Sequence, residues 1–205
     1  HSFAIEFFQK LEKYRDKLPV WNDEIYLEYH RGVYTSQGWI KRVNRKAECL
    51  LISAEKFATI AYMLGKDYPA ELLKEMWKKL LFNHFHDILP GSSIHEVYVD
   101  ARKDFEWILL KSEEVLNKSL EYLAKKIKGN GFVVFNPLSW NRDVFIEVDS
   151  SFPTEGLQRT FDNKQIYYVK NVPALGYKVV NKTDDPKDKV KVSGNTLETK
   201  FLKVK

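Results

Sequence analysis

The sequence predicts an α+β chain, a three-helix bundle followed by the first strands of an antiparallel β-sandwich. Three observations predict it. Ile40, Val43, Ala47, Leu50, Ala54, Phe57, Ala61 and Leu64 recur at alternating steps of three and four, the stripe of one long helix. Pro90-Gly91 enforces a turn between a second helical pattern and a third. After Gly129-Asn130-Gly131 the apolar period drops from helical to two.

Each element has a local reason. Phe3, Phe7, Leu11 and Tyr14 mark an amphipathic helix over Ser2 to Arg15. Pro19 ends it, because proline lacks an N–H and biases Leu18 away from helix. Tyr26, Leu27 and Tyr29 fall in a short connector that closes at Gly32. Thr35 or Ser36 can cap the long helix, and Gly65 stops it. Tyr68-Pro69 restarts the chain, with Leu73, Met76, Trp77, Leu80 and Leu81 as the expected buried face. Ser93-Ile94-His95-Glu96 reads as a capping box opening the third helix. Its stripe passes through Ile94, Val97, Ala101, Phe105, Ile108, Val115, Leu116, Leu123 and Ile127 and closes at Gly129.

Strands are expected at Phe132 to Phe135, around Val144, Ile146 and Val148, and at Gln165 to Val169, Gly176 to Val180 and Lys189 to Val192. The polar run from Asn181 to Lys189 reads as an exposed loop. No internal repeat of 20–50 residues occurs.

Composition narrows the function classes. Of 205 residues, 44% are hydrophobic and 14% aromatic, enough for a substantial core. No apolar run approaches the roughly 20 residues a bilayer requires, so no membrane association is expected. The single cysteine, Cys49, excludes an internal disulfide and a multi-cysteine zinc site, and it reads as a packed or half-exposed thiol. Thirty-three basic against 28 acidic residues leave a charge of +5, which permits an acidic partner without demanding one. The lysines sit mostly on solvated helix faces and in loops, so no nucleic acid is expected. There is no glycine-rich phosphate cradle and no Gly-x-Ser-x-Gly elbow. The chain opens at His1-Ser2-Phe3 and closes on a strand-like Phe201-Leu202-Lys203-Val204-Lys205, so a piece of a longer polypeptide is expected.

Among the histidines His1, His30, His84, His86 and His95, the run His84-Phe85-His86-Asp87 is the densest set of potential metal ligands. Residues two apart on a helix point to nearly opposite sides, so only one of the two imidazoles can face a site there. Two or three ligands do not complete a zinc centre. The alternative is a helix-terminal histidine beside a carboxylate that meets orphan backbone groups. The run Tyr29 to Ser36 likewise has two readings. His30, Arg31 and Tyr34 offer donors and rings suited to a polyhydroxylated ligand, or the run is simply a helix start.

Taken in order, these motifs carry a resemblance. Glu28-Tyr29-His30-Arg31-Gly32-x-Tyr34-Thr35-Ser36, Lys41-Arg42-x-Asn44-Arg45-Lys46-x-Glu48 and Phe85-His86-Asp87-Ile88-Leu89-Pro90-Gly91-Ser92-Ser93-Ile94 resemble the class II α-mannosidases of glycoside hydrolase family 38. Val134-Phe135-Asn136-Pro137-Leu138-Ser139-Trp140 and Pro173-Ala174-Leu175-Gly176-Tyr177 are similar to the start of that family's C-terminal β region. The His-Arg-Gly-x-Tyr-Thr-Ser form is that of the cytosolic and prokaryotic branch, which implies a cytoplasmic location.

The resemblance implies a zinc-dependent, retaining, exo-acting enzyme that hydrolyses terminal α-linked mannose in oligosaccharides or glycosides. It implies that residues 1–31 end an N-terminal α/β catalytic domain, 32–129 form the middle three-helix bundle, and 130–205 begin the C-terminal β domain. His86 would be a zinc ligand, Asp87 would bind sugar hydroxyls, and His30 would wall the mannose pocket. His84 stands where many relatives have glutamine and is not counted as a ligand. No catalytic residue is assigned within this chain: the nucleophile, the general acid and the other zinc ligands would come from the N-terminal domain, its implied partner. The 205 residues alone are then expected to be inactive. A rival expectation is a non-catalytic helical scaffold of the same architecture, and a homo-oligomer is left open.

Overall fold

The computed structural model describes residues 3–25, 27–149, 151, 155–186 and 190–205. His1, Ser2, Tyr26 and Lys189, named above, lie outside the described residues. The elements are helices followed by antiparallel strands, an α+β chain.

Helix α1 spans Ala4–Glu12 and buries nothing, although Phe7 and Phe8 sit edge to face at 5.4 Å. One-turn 3-10 helices follow at Arg15–Lys17 and Glu28–His30. Helix α2 (Gly38–Met63) is the spine of the bundle. Neither Thr35 nor Ser36 caps it. Gln37, at φ 49°, precedes the first turn, and its amide oxygen accepts the Trp39 indole N–H at 2.9 Å. The buried stripe is Ile40, Asn44, Ala47, Leu51, Ala54, Phe57, Ala58 and Ala61. Leu51 thus replaces the expected Leu50, and Leu64 is exposed.

Helix α3 (Ala70–Phe82) buries Leu73, Met76 and Leu80, while the expected Leu81 faces out. Helix α4 (His95–Ala124) buries Tyr98, Ala101, Phe105, Ile108, Val115 and Leu123. The two small polar residues on that face are satisfied. Ser119 donates to the Val115 carbonyl at 2.7 Å, and Ser112 meets the Met76 sulfur at 3.4 Å. The expected capping box does not form, because no side chain caps α4 and Ser93 turns its hydroxyl to the Asp87 carbonyl at 2.5 Å.

The β region folds as two facing sheets and a terminal meander. Strands β1 (Phe132–Phe135) and β5 (Tyr177–Val180) pair antiparallel, with Phe132 opposite Val180. Strand β4 (Gln165–Val172) lies between β2 (Arg142–Val148) and the short β3 (Gln158–Arg159). Tyr167, Val169 and Val172 pack from the second sheet against Phe132, Val134 and Val180 of the first. Strands β6 (Lys191–Ser193), β7 (Thr196–Glu198) and β8 (Lys203–Val204) form the meander.

The loop expected to be exposed is partly recruited. Thr183 Oγ1 accepts the Tyr168 N–H at 3.0 Å, and Asp184 Oδ2 accepts the Lys170 N–H at 2.8 Å. Side chains thereby replace a neighbouring strand along the part of β4 that runs past the two-residue β3.

Asn136 joins the ends of these strands. It is 1% exposed, and its amide nitrogen lies 2.8, 3.0 and 3.2 Å from the carbonyls of Trp140, Pro173 and Val172. Its amide oxygen accepts the Leu138 N–H at 3.1 Å. Phe135 packs edge to face on Phe57 at 5.5 Å, and Lys56 donates to the Pro137 carbonyl at 2.9 Å. The bundle and the first sheet therefore share an apolar seam.

Candidate functional site

The segment from Phe82 to Gly91 leaves α3 as a series of tight turns. Phe85 N–H bonds to the Phe82 carbonyl, Ile88 and Leu89 N–H to the Phe85 carbonyl, and Gly91 N–H to the Ile88 carbonyl, all at 2.9–3.2 Å. Leaving the regular helix frees His84 and His86 from strict helical spacing, yet they still diverge.

His84 turns inward. Its Nε2 lies 2.8 Å from Asn44 Oδ1 and 3.4 Å from Glu48 Oε1, and Asn44 in turn donates to Glu48 at 3.1 Å. This polar triad explains why an asparagine is buried on the α2 stripe: both ends of its amide have a partner.

His86 turns outward. Its side chain is 81% exposed and that of Asp87 53%, with Nε2 and Oδ2 3.8 Å apart. The Phe85 ring rests on the imidazole at a centroid distance of 4.3 Å. Beside them runs an open, largely apolar groove of about 620 Å³ walled by Leu81, Phe82, His84, Phe85, His86 and Ile88.

The backbone beneath this pair is held from behind. The Tyr98 hydroxyl lies 3.3 and 3.2 Å from the Asp87 and Ile88 carbonyls and accepts the Ser93 N–H at 3.1 Å. Its ring is buried against Trp39, over which the Arg102 guanidinium sits at 4.3 Å from the ring centroid. Ser92 Oγ reaches Asp87 Oδ1 at 3.4 Å.

The two motif runs meet here. Gly91 has φ +95°, and a Cβ on it would lie 2.7 Å from both the Cβ and the carbonyl oxygen of Ser36. Only glycine permits that approach. Lys41, from the first turn of α2, donates to the Ser36 carbonyl and, at 3.0 Å, to the Pro90 carbonyl. His30 ends the 3-10 turn upstream of the same segment, and its carbonyl accepts the Val33 N–H at 3.2 Å.

Among the described residues no three His, Cys, Asp or Glu side chains gather to hold a metal ion. His86 and Asp87 supply at most two donors, whereas a zinc centre takes three or four protein ligands. These residues fit part of a zinc site and do not make one. Cys49 is exposed and free. Among the described residues no helix is long and apolar enough to cross a membrane.

Periodicity did not single out Tyr98 or Lys41 as supports of the turn. The available signal is faint: a tyrosine five residues beyond Ser93 and a lysine beside a core isoleucine.

Comparison with known proteins gives consistent similarities. The family model described as the alpha mannosidase middle domain matches residues 28–123. Alpha-mannosidase G of Dictyostelium discoideum is 36% identical over 123 residues, 60% of this chain and 11% of that protein. Alpha-mannosidase 2C1 of Homo sapiens is 32% identical over 175 residues, 84% of this chain and 16% of that protein. A solved structure of a glycosyl hydrolase family 38 protein from Enterococcus faecalis superposes with a TM-score of 0.64 at 19% identity, over 100% of this chain and 31% of that one. The chain thus spans less than a fifth of the length of these two mannosidases.

Proposed function

Because this chain belongs to the α-mannosidase family and carries its middle domain, we propose that it is the bundle-bearing part of a zinc-dependent, retaining hydrolase of terminal α-linked mannose. In this reading His86 lends one imidazole nitrogen to the zinc ion. Asp87 accepts hydrogen bonds from sugar hydroxyls, and His30 lines the pocket. The ion, when bound, supplies Lewis acidity toward the mannose hydroxyls. The nucleophile, the general acid and the remaining ligands come from polypeptide outside these 205 residues, so this chain alone turns over no mannoside.

One observation carries the reading: an exposed imidazole and an exposed carboxylate stand side by side on a turn whose backbone is anchored from below. Carbonyls of this turn that water could serve are taken instead by a buried tyrosine hydroxyl and a lysine ammonium, which holds two polar side chains in the open. The experiment is metal analysis and mannosidase assay of the full-length protein with His86→Ala and His84→Ala. His86→Ala should lose zinc and turnover together, and His84→Ala should keep both. Retention of zinc by His86→Ala would refute the assignment.

A further inference from the structure

We propose that Lys41 is a positioning residue, whose ammonium clamps the carbonyls of Ser36 and Pro90 and thereby fixes the spacing between the segment bearing His30 and the turn bearing His86 and Asp87. This inference rests on the functional reading above and deepens it.

Four observations support the clamp. Lys41 projects from the first turn of α2 beside Ile40, which is fully buried, so its base is anchored in the core. Its two acceptors lie on segments far apart in sequence, Ser36 five residues before it and Pro90 49 residues after. The backbones it joins already touch, since no Cβ fits between Gly91 and Ser36. And the half-buried ammonium makes no ion pair with a carboxylate among the described residues, so two carbonyl dipoles are what offset its desolvation.

That last point separates a clamp from mere filling. Burial pushes the Lys41 pKa down, which means that the charge is kept there at a cost. An apolar side chain of equal length would fill the same space without that cost. It would also leave two carbonyl oxygens facing each other with no donor between them, and such dipoles repel. The ammonium converts the repulsion into two charge-assisted hydrogen bonds. Loosening them lets the two loops move apart, and displacement of site groups by about an ångström is enough to slow chemistry greatly.

The test uses the full-length protein with Lys41→Met, which keeps the length and removes every donor, and Lys41→Arg, which keeps the charge. Hydrogen exchange by mass spectrometry reads the clamp directly. Lys41→Met should speed exchange in peptides covering 30–37 and 84–93, and leave the centre of α4 unchanged. With 4-nitrophenyl α-mannoside as probe, Lys41→Met should lower kcat by about tenfold or more with little change in KM. Lys41→Arg should recover most of both losses. Unchanged exchange in both segments, unchanged kcat, or an arginine variant no better than methionine would overturn the proposal. If Lys41→Met does not fold, Lys41→Gln replaces it and must loosen the same two segments. If the wild-type protein hydrolyses no mannoside, the functional reading fails, and the exchange comparison still decides the clamp.

Discussion

Asn83 and Asp104 meet across the α3–α4 interface, the asparagine amide nitrogen donating to Asp104 Oδ2 at 3.2 Å. Asn83 is 1% exposed, and its second amide hydrogen goes to the Lys79 carbonyl at 2.9 Å. The other oxygen of Asp104 takes the Lys79 ammonium at 2.6 Å. One buried amide thus closes the last turn of α3 and ties it to α4, immediately before the chain enters the His84–Gly91 turns.

Asn83→Ala should therefore lower stability by about 1–3 kcal/mol, the range for a buried hydrogen-bonding group whose partners are left behind. A urea titration checks it: the midpoint should fall with the slope unchanged. A midpoint equal to wild type would mean that water takes over both bonds.

Tyr98→Phe tests the support beneath His86 and Asp87. The ring still packs against Trp39, but the Ser93 N–H and the carbonyls of Asp87 and Ile88 lose their shared partner. The expected loss is about 1–3 kcal/mol, with faster amide exchange at Ser93. Wild-type exchange at that amide would show that the hydroxyl is not holding the turn.

Acid should loosen the edge of β4. The Lys170 N–H bonded to Asp184, aided by the Lys178 ammonium at 3.2 Å, holds that carboxyl below its ordinary pKa. A depressed folded-state pKa contributes stability above the ordinary carboxylate pKa of about 4, and that contribution disappears as pH falls through the lowered value. Asp184→Asn should therefore be less stable than wild type at neutral pH and lose less of its stability between about pH 5 and pH 2. Parallel pH profiles of the two proteins would contradict this.

Much of this fold is legible in the sequence because its elements are long and strongly patterned. The period change after Gly131 and the strand at Phe132–Phe135 follow directly from composition and spacing. The misplaced residues have specific causes. The buried α2 stripe alternates four and three from Ile40 through Asn44 and Ala47, the opposite phase to the apolar residues alone, so Leu51 enters the core where Leu50 was expected. Asn44 is buried because His84, from another helix end, completes its hydrogen bonds, and no local pattern reveals that. Ser93 fits a capping box locally, but the Asp87 carbonyl six residues earlier competes for its hydroxyl and wins. At the candidate site, the family resemblance is what singles out His86, Asp87 and His30, whereas the contact between Gly91 and Ser36 exists only once α2 and the turn are packed.

The residue after Asn136 gives that amide a durability of its own. Asparagine ages by attack of the following backbone nitrogen on its side chain, and Pro137 has no N–H with which to make that attack. Conversion to aspartate would set an anion among three carbonyl oxygens and split the strand ends apart. The imide-forming ring closure is denied at an asparagine whose amide gathers three backbone carbonyls.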